Sequence, residues 1–565
     1  MNKFLRANLF LLFGLSSIST FSQGVYVPLN RDYYHILDRY EIKSGRLTDR
    51  FHTTHKMIRR QDIAAFVEDI KLDSAKQKFN RRDKFNLDYL KSDNWEWSSD
   101  SGAGDSKHPI RKTFFKNFYK KQNAFFSVQT KNKDFEMQIN PILYFSGGYQ
   151  LNSGSDINYI NLRGLEMRGM ICRRLGFYTM IGENQASLPG YQQDFIDRYD
   201  AVPEETFYKQ FKQKGVDIAA VRGYLTFTAL KNQLQFQAGH DRLFIGNGFR
   251  SLMFGDFAPN FLFAKVNMKV WKISYDFIVG QGLNNTGIKA YQGFDKKMIS
   301  MHHLSINCGK HFNIGIFEAI VTANRFEINY LNPIIFYRSI ENVLGSKDAA
   351  HLGIDFKANF LRRFQLYGQL VLNEANVKGV MAGKGSWMNQ QAIQLGLKYV
   401  DAFWIKNLDL QFECNYVRPY MYTDKVAEGG FTHYNQPWAH PLGANFIEYL
   451  GVLRYQPHKR INMNLTAFYA KRGLDADTSL NFGSNPLKPY TTRELEEGNY
   501  TATKGAITHT AFVDFTLSYM VRHNLFLDLK GIYRNQVSDA PNLTRNDVFG
   551  SVSLRMNIAQ RQTAF

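Results

Sequence analysis

From about residue 133 onward, polar and apolar residues take turns. In Leu408-Asp409-Leu410-Gln411-Phe412-Glu413-Cys414-Asn415-Tyr416 one alternate set is apolar or aromatic and the other polar. Val548, Gly550, Val552, Leu554, Met556 and Ile558 alternate with Phe549, Ser551, Ser553, Arg555 and Asn557, and the same period runs through 393–399, 352–358, 461–465 and 525–529. A period of two marks strands with one apolar and one polar face, and segments of about ten such residues are the pattern of a barrel in lipid. Before that point the period is that of a helix. Tyr33, Ile36, Leu37 and Tyr40 fall at i, i+3, i+4, i+7, and Ile63, Phe66, Val67 and Ile70 repeat the spacing. Two short amphipathic helices parted at Gly45, with a third segment over Phe85–Leu90, predict a small bundle in 24–110, bounded by the Ser98–Gly104 linker.

Soluble sandwiches also alternate, so connection length is the second test. Short turns fall at Lys231-Asn232, Gly309-Lys310, Leu361-Arg362-Arg363, Pro457-His458-Lys459 and Arg522-His523-Asn524. Long loops fall near 183–215, 241–259, 281–297, 324–350, 373–391, 418–444 and 472–508. Short and long alternate without a miss, as in a barrel with tight turns at the periplasmic end and long loops outside. The strands from 133–145 through 547–558 number about 18, an even count that returns the chain to its starting side. Residues 123–130 would break that parity and are read as a hairpin arm below the ring. The expected organisation is a signal peptide over 1–23, a periplasmic helical bundle over 24–110, a connecting segment or hairpin over 111–132 and an all-β transmembrane β-barrel of antiparallel strands over 133–565.

The first residues support export. Lys3 and Arg6 precede the apolar run Leu9–Leu15, and small polar residues lead to a cleavage site close to Gln23. That run is too short for a membrane helix, and no later stretch is longer. Cys172, Cys308 and Cys414 are odd in number and far apart, which opposes a disulfide framework or a Cys/His metal site. No cofactor is implied. Aromatics at 15% with only 14 prolines suit strands with interfacial belts. Phe565 is a terminal aromatic, as in many assembled barrels. The formal charge of +20 favours an anionic partner. For an exported chain that means acidic polysaccharide or lipopolysaccharide rather than nucleic acid, unless the basic residues only keep turns and loops solvated.

In Leu234-Gln235-Phe236-Gln237-Ala238-Gly239-His240-Asp241-Arg242-Leu243-Phe244-Ile245-Gly246-Asn247-Gly248 the glycines invite a phosphate-loop reading. Such a loop needs Lys-Ser/Thr and a helix next; Phe249-Arg250-Ser251-Leu252 follows instead. The stretch is a strand whose glycines let the backbone bend where it leaves the wall. Here the chain resembles a known family, the capsule-assembly outer-membrane barrels of the Wzi type, and especially their Bacteroidetes relatives of the RemB kind. The resemblance rests on Gly239–Gly248, Asn332-Pro333-Ile334-Ile335-Phe336-Tyr337-Arg338, Leu366-Tyr367-Gly368-Gln369-Leu370 with Asn373-Glu374, His440-Pro441-Leu442-Gly443, Leu29-Asn30-Arg31-Asp32-Tyr33, and Ile58-Arg59-Arg60-Gln61-Asp62-Ile63. It implies an 18-stranded barrel with a helical bundle beneath and long folded loops above. It also implies a role in holding capsular polysaccharide or in gliding motility.

A glycan site needs flat aromatic faces beside amides, carboxylates and arginines. The 418–444 loop supplies Arg418, Tyr420, Tyr422, His433, Tyr434, Asn435, Gln436, Trp438 and His440. Either it is a ligand-facing surface or it packs into the mouth of the barrel. Asp241, Arg242, Arg338 and Glu374 are expected in the lumen, as ion pairs bracing the wall. His302-His303 with Glu318 or Glu327 would be the start of a hydrolase site, but no GxSxG, HExxH or paired Cys/His motif accompanies them. The chain is therefore expected to be a non-enzymatic outer-membrane barrel that binds or retains surface polysaccharide or serves motility and adhesion. The alternative is a transport or secretion barrel gated by the bundle, with a periplasmic or secretion partner. The bundle could plug the lumen or dock a periplasmic protein.

Overall fold

In a computed structural model the side chains that alternate along each strand sort by polarity in the reverse of a soluble protein. On the strand Leu408–Val417, Asp409, Gln411, Glu413 and Asn415 are buried while Phe412 is 55% exposed. On Leu234–Asp241, Gln235 and Gln237 are buried and Phe236 points out. Polar inside and apolar outside is what lipid around a closed ring selects, because the outer face has no water to meet. The structure describes residues 24–72, 79–106, 117–132, 134–151, 157–285, 293–345, 348–373, 386–477, 479–494 and 503–565. The expected signal peptide and Glu374 lie outside them.

Eighteen strands among the described residues close the ring. They are β1 (Phe135–Gln150), β2 (Ile157–Ile171), β3 (Leu175–Ser187), β4 (Gly215–Ala229), β5 (Leu234–Asp241), β6 (Phe261–Val270), β7 (Ile273–Asn284), β8 (Asp295–Cys308) and β9 (Phe312–Ala323). The second half is β10 (Ala349–Phe360), β11 (Phe364–Leu372), β12 (Gln391–Tyr399), β13 (Leu408–Val417), β14 (Phe446–His458), β15 (Ile461–Leu474), β16 (Ala506–Arg522), β17 (Leu525–Ser538) and β18 (Arg545–Met556). Every neighbour is antiparallel, and β18 closes on β1 from Phe549↔Gln150 to Met556↔Leu143, so no edge is left open. Short connections, from 271–272 to 400–407, gather at one end and long ones at the other, as the sequence parity requires. The short-turn end carries stacked rings, Phe360 on Phe364 and Phe364 on Tyr399, beside exposed Trp271 and Trp404. That is the aromatic girdle of a membrane boundary. The hairpin Phe118–Lys121 and Ala124–Gln129 pairs with the first residues of β1 only, below the end of β18.

Three helices, α1 (Arg31–Ser44), α2 (Arg60–Leu72) and α3 (Arg81–Asp93), form the bundle at the short-turn end. Asn30 caps α1 by accepting from Asp32 N and Tyr33 N, and Asn80 with Asp83 makes a capping box on α3. The apolar stripe read from the sequence is the bundle core: Tyr33, Leu37, Tyr40, Ile63, Phe66, Val67 and Ile70 are buried together with Leu87 and Leu90. No helix among the described residues is long and apolar enough to cross a membrane.

Candidate functional site: the lumen and its rim

Four main parts of the chain fill the ring, and the connection after β3 adds Glu204 and Glu205 beside them. From the bundle end, residues 24–58 run up inside, with α1 set against β10, β12 and β13 through buried ion pairs. Glu41 meets Lys357 at 2.8 Å and Asp38 meets Lys398 at 2.7 Å. Arg39 lies among Asp83 (3.3 Å), Asp401 (2.5 Å) and Asp409, while Lys43 reaches Asp83 and Asp401 at 3.0 and 2.9 Å. Charges taken out of water are tolerated only when paired this way. Further in, His55 Nε2 is 2.6 Å from His303 Nδ1, and His303 Nε2 is 2.5 Å from Asp355, while His52 bonds Ser305 at 2.7 Å. Burial pushes the His55 imidazole down to about 4 against the opposing pull of Asp276. At the foot of the bundle burial would raise Asp93, but Arg60 and then His523 outweigh it and hold the carboxyl below the usual range.

The connection 242–260 is the second part, and it resolves the glycine question. Phe244 and Ile245 pair with Lys56 and His55, so this stretch sits inside the barrel against the N-terminal segment. Gly239, at φ 149°, lies where a Cβ would fall 2.2 Å from Gly223 O. A Cβ on Gly248 would fall 2.5 Å from Glu413 Oε2. Beyond Gly248 the backbone N–H groups of Phe249 and Arg250 donate to the Glu413 carboxylate at 2.8 and 3.1 Å. The turn does bind an anion, and the anion is the wall's own glutamate. Asp241 and Arg242 are luminal: Asp241 is 3.9 Å from Arg222 and accepts from Arg242 N at 2.8 Å, while Arg242 hydrogen-bonds Glu204 O. Arg338 is not luminal. It sits on the outer side of the wall, paired with Glu341 at 2.7 Å, because the segment carrying it docks on outward-facing residues of β8 and β9.

The third part is the 418–445 connection, whose 418–444 loop the sequence leaves open between a ligand-facing surface and packing into the mouth of the barrel. The structure turns most of it inward. Tyr420, Tyr422, Trp438 and His440 are each at most 1% exposed. Tyr420 donates to Asn481 O (2.7 Å) and Tyr422 to Leu252 O (2.7 Å), and His440 pairs with Glu448 at 2.8 Å. Trp438 is packed by Phe254, Phe261, Phe431 and a stacked His433. Burial lowers the His433 imidazole to about 3, and its Nδ1 accepts from Leu283 N at 3.0 Å. The cause is partner supply: with apolar rings from 254–261 within reach, each aromatic gains more from burial than from exposure to water. Arg418 and Tyr434 keep partial exposure, Tyr434 lying edge-on to Phe207 at 4.9 Å. The fourth part is the tail 557–565, which turns back into the lumen, placing Phe565 on Phe257 and Phe468.

Between these parts and the wall remains a cavity of about 270 Å³ lined by both charged and apolar side chains. Its arginines are mostly engaged, Arg31 with Asp256 at 3.0 Å and Arg561 with Glu205 at 3.0 Å. Glu204 lines it with Oε1 unbonded, and burial raises its carboxyl to about 7 despite Arg242. A void of this size suits a small polar guest or ordered water rather than a passing polymer.

At the long-loop rim the structure joins residues that no sequence spacing connects. The Trp387 and Tyr490 rings lie 5.0 Å apart, tilted by 34°, and the Arg493 guanidinium sits 4.6 Å over the Trp387 ring. Trp387 and Tyr490 are half-buried and Arg493 exposed. Tyr490 N donates to Asp424 O at 3.0 Å and Thr491 Oγ1 to Lys425 O at 3.2 Å, which fixes the platform on the folded 418–445 connection. An aromatic pair with an adjoining cation offers a sugar ring a flat face and its carboxylate a fork. The hydrolase residues diverge: His303 faces the lumen, whereas His302 faces outward against Glu318 at 3.0 Å. They cannot share one substrate.

A closed ring, polar within and apolar without, defines a transmembrane β-barrel. Its fold is similar to that of Wzi, an outer membrane protein involved in group 1 capsule assembly in Escherichia coli and a carbohydrate-binding β-barrel. That match has a TM-score of 0.58 at 12% identity and covers 95% of this chain and 100% of that one. OccK8 (OprE) and OprD of Pseudomonas aeruginosa match at 8% identity over 74% of this chain, covering 97% and 94% of theirs, with TM-scores of 0.42 and 0.41. No protein-family model and no curated protein matches the sequence.

Proposed function

We propose that this chain is an outer-membrane barrel that retains acidic surface polysaccharide at its long-loop rim, with the bundle on the periplasmic side, and that it catalyses no reaction. The observation carrying the proposal is that the lumen is filled by the chain's own paired charges and packed rings. A large ligand is thereby left the rim, where Trp387, Tyr490 and Arg493 stand together. A net charge of +20 draws an anionic polymer or lipopolysaccharide towards it. The fold shared with a carbohydrate-binding barrel of capsule assembly supports this reading. Capsule or exopolysaccharide assembly is the role it fits first, and motility or adhesion is the accessory role that a surface-held glycan would also serve.

The test is retention of the source organism's own capsule or exopolysaccharide by purified protein. The double variant Trp387→Ala, Arg493→Ala is expected to bind about tenfold or more weakly, as the loss of an anchoring aromatic and cation implies. Undiminished binding would move the site off the rim, and no binding by the wild type would end the proposal. A second reading has one observation behind it: rings of 16–18 strands are wide enough for an aqueous channel. Transport would then require both the bundle and the 242–260 and 418–445 connections to move aside. Planar-bilayer recording decides: steady large conductance favours transport, and a silent bilayer favours the binder.

A further inference from the structure

On β8 and β9 the outward face carries polar residues that lipid alone would not satisfy. Ser300, His302, Glu318 and Thr322 all point away from the lumen, on the opposite parity to His303, Phe317 and Val321. Residues 324–345 fold down over them, bonding Ser300, Glu318 and Thr322 and stacking Tyr337 on His302. Ser300 Oγ donates to Tyr330 O at 2.6 Å, and Thr322 Oγ1 to Arg325 O at 3.0 Å. Glu318 pairs with His302 and accepts from Tyr337 N and Arg338 N at 2.9 and 3.1 Å, capping the short helix Tyr337–Leu344. Tyr330 and Tyr337 complete the seal against Met298, Ile320 and Ala350, with His302 stacked on Tyr337. The underside of the segment is thus a built, polar dock. Its far side is the reverse: Phe326, Ile328, Ile334, Phe336 and Val343 are 58–88% exposed.

We propose that residues 325–345 lie in the lipid leaflet, outside the ring, with these five side chains among acyl chains. Two observations choose lipid as the occupant. The segment sits on the wall face that carries the apolar belt and so continues that belt outward, next to exposed Leu352 and Ile354 on β10. At its edge Arg325 and Arg338 each keep about half of the side chain exposed, at 46% and 54%, cations suited to anionic headgroups. The segment shields the His302–Glu318 pair from hydrocarbon and gives the barrel a lipid-facing shelf on one side only. An amphipathic helix in the interface plane is bound by this combination of buried apolar area and headgroup charge.

The inference rests on the membrane reading, and the experiment separates the two. Ile334→Cys, Val343→Cys, Leu352→Cys and Glu494→Cys are made singly in a background lacking Cys172, Cys308 and Cys414. Each is labelled with an environment-sensitive fluorophore and reconstituted in vesicles with or without brominated acyl chains. Labels at 334 and 343 should lose as much emission to brominated lipid as the one at 352 and resist aqueous iodide, whereas the label at 494 should do the opposite. Quenching at 352 with iodide-accessible labels at 334 and 343 would overturn the shelf and leave the barrel in its membrane. Absence of quenching at 352 as well would overturn both. Spontaneous disulfide dimers through Val343→Cys, with no lipid quenching, would assign the face to a second copy of the chain and overturn the lipid occupant.

Discussion

At the bundle end the lumen is closed by charge: Arg39 among three aspartates, Glu41 on Lys357, Asp38 on Lys398, and His55 on His303. At the long-loop end it is closed by rings, with Trp438 wedged among Phe254, Phe261 and Phe431 and few ionic contacts around it. The two closures fail differently. A buried ion pair adds little when intact and costs much when one partner is removed, and it responds to protons. A packed aromatic cluster fails in proportion to the volume removed, and this one meets protons only at low pH, through its buried His433. The bundle end is therefore the half of the plug that mild acid reaches first.

The largest effects should come from one substitution at each end. Arg39→Ala leaves buried Asp83 and Asp409 and half-buried Asp401 short of a cation and should lower the local opening free energy of α1–α3 by about 3–5 kcal/mol. Trp438→Ala should lower that of 418–445 by a similar amount, about 3–5 kcal/mol. Hydrogen exchange of each variant should show faster exchange at its own end only; a spread of either effect to the opposite end would dissolve the distinction. Acidification should act on the bundle end first and on the long-loop end only at lower pH, where burial holds His433 at about 3. His55 is held at about 4 by burial, against 6.5 for a free imidazole. Between those values the released segment binds a proton that the docked one does not. Docking is thus intact above about pH 6.5 and weakens as pH falls toward 4, by on the order of 3 kcal/mol. Lys265, Asp276, His303 and Asp355 face the same ring, and burial also lowers His52 in the same segment, so the control is the double variant His52→Asn, His55→Asn, which should flatten the pH dependence of protease nicking near residue 56. The smallest effect is expected midway, at Glu413→Gln, where charge-assisted bonds to Phe249 N and Arg250 N become neutral ones. A loss of about 1–2 kcal/mol, seen as exchange of those two amides, would mark the 242–260 turn as held by that carboxylate; unchanged exchange would assign its rigidity to packing.

Much of the wall was legible in the sequence. A period of two assigns each strand residue to one of two faces without reference to any other strand, so the alternation at 408–416 gives both strand and sidedness. Turn parity then orders the ends. The bundle was legible for the same reason, since Tyr33, Leu37 and Tyr40 share a helix face by spacing alone. The site was less so. Aromatic content at 418–440 reads equally as a surface for sugar or as packing for a plug, and only the rings arriving from 254–261 decide between them. Arg338 looked luminal beside Asn332-Pro333, yet the outward parity of Glu318 carries it to the opposite side of the wall.

What the amino-acid order determined by itself is local: which residues face lipid, which face the lumen, where strands end and where helices are capped. Those follow from backbone geometry within a few residues. What the tertiary structure decided is which distant groups meet: His55 with His303, the 249–250 amides with Glu413, and Trp387 with Tyr490. These contacts arise only when the ring closes and the long connections fold over or into it. No spacing along the chain encodes a distance across a lumen.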